Sequence, residues 1–142
     1  MNSYETDYAG WANEQAALLR AGSFHLLDIA HLTEELETIM GNERRELYRR
    51  LRVLIGHLLK WKFQPEARSA SWEGTMRVQR KDIARLFKQS PSLRRFLQEE
   101  AEDAYRDALE LASIETGFPE TAFPMVSPFT TQEILDKDFW PD

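Results

Sequence analysis

Between Asp28 and Pro65 the chain carries one apolar series in a single helical phase: Ile29, Leu32, Leu36, Met40, Leu47, Leu51, Leu54 and Leu58, with Glu43 in the one polar slot. A spacing of about 3.6 residues held over so many turns reads as a long amphipathic helix and is incompatible with the alternation of a strand. We place it from 28 to about 63, with Asp28 as N-cap. The phase survives Gly41-Asn42, so one long helix, straight or kinked there, is expected rather than two unrelated ones. Pro65 ends the helix by pushing Gln64 out of the helical region.

A long helix with one apolar face needs other helices to cover it. Tyr8, Trp11, Ala12, Leu18 and Leu19 define a first helix near 7–21, between Asp7 as N-cap and Gly22 as stop. Ser71 is the expected cap of a third helix, with Trp72, Met76, Ile83, Leu86 and Phe87 on one face. Ser90 and Pro91 look like the start of a fourth, lined by Leu93, Leu97, Ala101, Ala104, Ala108 and Leu111 and ending before Gly117. "FPETAFPMVSPF" should be extended, and Thr130 with Glu133 has the form of a capping box for a short last turn closed by Phe139 and Trp140. The fold class is therefore all-α: a bundle of about four helices, with a Pro-rich tail that ends in a short helical turn. Residues 1–142 are expected to form a single helical domain, with 118–142 packed on the bundle.

Composition narrows the chemistry. With no cysteine, thiol catalysis, disulfides and cysteine zinc sites are excluded, and a reducing cytoplasm is compatible. The acidic start "MNSYETDYAG" does not read as a signal peptide, and no apolar run has the length of a membrane span. The net charge of −6 is distributed in blocks: −7 over 1–43, +11 over 44–95 and −10 over 96–142. Basic helices lying beside acidic ones would cancel these fields. The sharper alternative leaves the basic segment 44–95 open to an anion, a nucleic acid or an acidic partner. The acidic overall balance favours cancellation, so nucleic acid is the weaker partner reading.

No catalytic motif is present: there is no Gly-rich phosphate loop, no GxSxG, no HExxH, and no Glu with a His three places on. What remains is a set of polar groups near apolar faces. At 100° per residue, His57, Trp61 and Gln64 form one line along the edge of the long helix's stripe, with Arg50 and Lys60 nearby. Gln79 falls near the middle of the third helix's face and Arg80 at its far edge. Glu100, Asp107 and Asp103 lie progressively further from the centre of the fourth. Polar groups facing a core must find partners, so a semi-buried network is expected among His57, Arg50, Gln79, Arg80, Glu100, Asp103 and Asp107. It serves either as an interhelical lattice that fixes register or as a small-molecule or metal pocket around His57, Glu100 and Asp107. No metal-ligand spacing and no cofactor motif is read.

The residues "DYAGW" (7–11), "EELE" (34–37), "HLLKW" (57–61), "QP" (64–65), "SW" (71–72), Arg80, "PSL" (91–93), Tyr105 with Ala108, and "DFWP" (138–141) occur in that order over nearly the whole chain. In this combination the chain resembles the bacterial domain-of-unknown-function family 29. The matching positions are Trp11, Glu35, His57, Lys60, Trp61, Gln64, Trp72, Arg80 and Tyr105. The resemblance implies a compact helical protein and no transferable activity. The leading reading is a small cytoplasmic interaction or structural module, with a homo-oligomer or another protein as partner. The alternative is a small-molecule or metal-binding pocket around His57, Glu100 and Asp107, with or without enzymatic activity.

Overall fold

The computed structural model describes residues 3–142. Its helices are α1 (Tyr8–Ala21), α2 (Ile29–Phe63), α3 (Ala70–Gln89), α4 (Leu97–Thr116) and α5 (Thr131–Leu135). Single 3₁₀ turns occupy 24–26, 65–67 and 120–122, and a longer 3₁₀ stretch runs from Pro91 to Phe96. No strand occurs among the described residues. Helix α2 is one uninterrupted helix of 35 residues through Gly41. Packing contacts gather in two compact units, residues 1–41 and 42–142.

In the first unit, the Asp7 carboxylate caps α1 by accepting the Gly10 amide at 3.0 Å. Gly22 ends the helix in the left-handed conformation (φ 72°), which only glycine adopts without strain. Trp11 and Gln15 are the residues of α1 that become buried. The expected burial of the long apolar stripe does not hold in this stretch: Ile29 and Leu36 are 61% and 68% exposed. The phase is helical, but the face is only partly covered, Leu32 and Met40 being half-buried.

In the second unit the stripe is fully used. Leu47, Leu51, Leu54, Ile55, Leu58 and Leu59 of α2 have no exposed surface and share a core with Met76, Ile83 and Phe87 of α3 and Ala104, Tyr105 and Ala108 of α4. Pairings at 43–90, 50–82 and 60–72 make α3 antiparallel to α2. Pairings at 44–100, 48–107 and 60–115 make α4 parallel to it. Gly56 permits the close approach, since a Cβ there would stand 3.0 Å from Leu111 Cδ2 and 3.4 Å from the Ala108 carbonyl.

Two expected caps differ. Ser69, in extended backbone, accepts the Trp72 amide (3.1 Å) and starts α3, so Ser71 falls inside the helix. Ser90 makes no side-chain cap; its hydroxyl donates to Glu43 instead (2.8 Å), and Pro91 opens a 3₁₀ stretch before α4 begins at Leu97. The Thr130–Glu133 capping box is present in full. The tail is held by the buried side chains of Phe123, Phe129 and Ile134 and by the Tyr105 hydroxyl, which donates to the Pro124 carbonyl at 2.6 Å.

Candidate functional site

The expected polar residues do not form one network; they divide among separate clusters of the second unit. The most enclosed lies between the ends of α2 and α4. Lys60 is 3% exposed, and its ammonium bonds Glu115, approaches His57 Nε2 at 3.4 Å and sits 4.8 Å from the centre of the Trp72 ring. His57 Nδ1 pairs with the Val53 carbonyl (2.8 Å), which requires the proton on Nδ1 and leaves the Nε2 lone pair towards Lys60. Burial holds the imidazole pKa below its ordinary value, so it stays neutral there. Each buried polar side-chain atom of this cluster has a partner, which describes a tie between helices.

Nearer the start of the second unit, Arg44 donates through Nε (3.1 Å) and Nη2 (2.6 Å) to one oxygen of the buried Glu100 and packs on the Phe96 ring. Asp107 accepts from the Tyr48 hydroxyl, which pushes that phenol up to about 12. Gln79 accepts from Arg50 (3.3 Å), which also pairs with Asp82 and Glu46 at 3.1 Å each. Asp103 is exposed. Arg44 and His57 are thirteen residues apart on one helix, about 20 Å along its axis, so His57, Glu100 and Asp107 are tied to different partners and not gathered around one point. Among the described residues no group of three or more His, Asp or Glu side chains has the arrangement of a metal site.

Trp61 and Arg80 belong to the attachment of the C-terminal segment. Trp61 meets Trp140 at 5.1 Å, while Arg68 packs on Trp61 and donates to the Trp61 and Pro141 carbonyls at 2.8 and 3.0 Å. Gln64 closes α2, its amide donating to the Lys60 carbonyl (2.9 Å). Arg80, 5% exposed, donates from Nε to Ile134 O (2.8 Å) and from Nη2 to Glu133 O (3.3 Å), two carbonyls of the final turn of α5. Burial lowers its pKa.

Of the fifteen basic residues of 44–95, five (Arg44, Arg50, Lys60, Arg77 and Arg85) have carboxylate partners among the described residues, and of these Arg44 and Lys60 reach the acidic segment 96–142. The sequence reading missed Glu115, although on the same wheel, counted from Leu93, it falls about 40° from the face centre, as close as Asp107. It also missed a knot in the first unit. There, Glu35 accepts from the hydroxyls of Tyr4 and Tyr8, and Asp28 Oδ2 takes both Trp11 Nε1 (2.9 Å) and His31 Nδ1 (2.7 Å). Tyr4 stacks on the His31 ring at 4.1 Å, and Asp28 raises the His31 pKa.

No helix among the described residues is long and apolar enough to cross a membrane. No curated protein and no solved structure matches the chain. A family model does, over residues 3–140. That match runs from the aromatic knot of the first unit to the closing Phe139-Trp140, and the chain belongs to the family described as Domain of unknown function DUF29.

Proposed function

We propose that this chain is a non-catalytic interaction module whose N-terminal unit pairs with a second copy of itself, and whose polar clusters in 42–142 serve to hold its helices. One observation carries the reading. Ile29, Leu32, Leu36 and Ile39 follow the three-four-three spacing of a coiled-coil seam; Leu32 is half-buried, and Ile29, Leu36 and Ile39 stand 61%, 68% and 56% exposed. An apolar seam left open in a unit that buries little else is the surface a partner helix would cover.

A second copy suits the flanks. Thr33 and Met40, on one side of the seam, bring no charge to the contact, whereas Asp28 and Glu35, on the other, are bonded within their own unit. The seam is three turns long, and a contact of that size supports weak, reversible pairing. A cytoplasmic setting belongs to the same proposal: a chain without cysteine is compatible with a reducing compartment.

The lack of cysteine also supplies the test. Leu36→Cys and Ile39→Cys each place one thiol on the seam, and Ile114→Cys places one at a comparably exposed position (72%) on α4. Under mild oxidation the seam variants should form covalent dimers at least about tenfold faster than the α4 variant, reflecting the local concentration of a real contact. Equal rates would mean collision alone and would remove the proposal.

A further inference from the structure

Beside the C-terminal end of α5 lies a cavity of about 410 Å³ lined by Arg77, Arg80 and Lys81 of α3 and Lys137 of the tail, with Ala84 and Leu135 as its apolar wall. The volume is in the range of small-molecule sites, and no acidic residue is among these six. Arg77 pairs with Glu73 at 2.8 Å. Among the described residues, Arg80, Lys81 and Lys137 enter no ion pair. Asp136 acts on Arg80 only through space.

The second observation is the state of Arg80 itself. With Nε and Nη2 spent on the carbonyls of α5, its Nη1 is buried and has no hydrogen-bond partner. Buried donors are nearly always answered, and one left over on a fixed guanidinium favours whatever brings an acceptor to it. The fork is also held in place, because Arg80 and Arg77 lie 5.5 and 5.1 Å from the centre of the Trp140 ring. The residue with the unused donor is thus a wall of this cationic cavity.

We propose that this cavity binds a small organic oxyanion, its charged oxygens taken by Lys81, Lys137, Arg77 and Arg80 and its apolar body by Ala84 and Leu135. Lys81 and Lys137 are exposed and make first contact; Arg80, closed to water at Nη1, engages as the site tightens. Phosphate esters and carboxylates share this chemistry. Arg80 and Lys137 tie the ligand to the segment that follows α4, so binding should also stiffen the tail.

The test is a ¹⁵N NMR titration of the full chain with inorganic phosphate, phenyl phosphate and phenylacetate at near-physiological salt. The proposal expects saturable shifts confined to residues 77–84 and 135–137 and the Trp140 indole, with phenyl phosphate binding more tightly than inorganic phosphate. Saturation by phenyl phosphate alone would assign phosphate esters, and saturation by phenylacetate as well would assign oxyanions in general. The Lys81→Ala/Lys137→Ala double variant, which alters only exposed side chains, should weaken binding about tenfold or more. Arg80→Gln should abolish it, and should that variant fail to fold, the double variant still decides. No saturation below about 10 mM, shifts spread evenly over the basic helices, or unchanged affinity in the double variant would each overturn the proposal.

Discussion

Lys60 and Glu115 show how unequal the two halves of an ion pair are. Lys60 is buried while the Glu115 side chain keeps 42% of its surface, so removing the acid strands a buried ammonium, whereas removing the base frees a carboxylate to water. Glu115→Ala should therefore cost about 2–4 kcal/mol and Lys60→Met about 1 kcal/mol or less, both measured by urea unfolding; equal costs would contradict the cluster's structural role. The histidines should separate too. His31 is raised by Asp28, so its contribution is full below the unfolded value of 6.5 and fades as pH rises through its higher folded value. His57 is lowered by burial, so the unfolded chain binds that proton more readily and acidification through 6.5 weakens the fold at that point. An NMR titration should find His31 above 6.5 and His57 below it; the reverse order would refute both environments. Single residues such as His57 were legible as edge positions on a helix. Their partners were not, because the helical wheel gives a direction and no neighbour.

At the level of elements, most of the fold could be read from periodicity and punctuation. Gly22, Pro65 and the Thr130–Glu133 box act where expected because each is a local backbone effect. The starts of α3 and α4 were misplaced for equally physical reasons. Two serines compete before Trp72 and the one in extended backbone caps; Ser90 is drawn into a bond with Glu43, far away in sequence. Gly56 was silent in the sequence, and its meaning comes only from Leu111 and Ala108 pressing on it. Gly56→Val should force α2 and α4 apart and destabilise the chain by about 1–3 kcal/mol; an unchanged denaturation midpoint would show that the contact is looser than described.

For the molecule as a whole, the two units differ in how much core they own. The second closes around leucines with no exposed surface, while α1 buries Trp11 and Gln15. We propose that residues 1–142 still unfold as one domain, because α2 runs through both units, and that α1 opens sub-globally first. Amide exchange should then be faster across 8–21 than across 47–59, and comparable protection would argue against it. The block charges were legible, and within the second unit Arg44 and Lys60 pair across the blocks with Glu99, Glu100 and Glu115. The open seam was not, because a periodic pattern names an apolar face without saying what lies against it. Residues 1–41 carry seven acidic groups and one basic, a net −6, so two copies meeting through this unit repel one another and added salt should help them. Sedimentation equilibrium of the intact chain, from micromolar to near-millimolar concentration at low and high salt, tests the central claim most directly. The account predicts a reversible dimer that strengthens with salt and disappears in Leu36→Glu/Ile39→Glu. A monomer at every concentration and salt, or a dimer indifferent to those two substitutions, would contradict it.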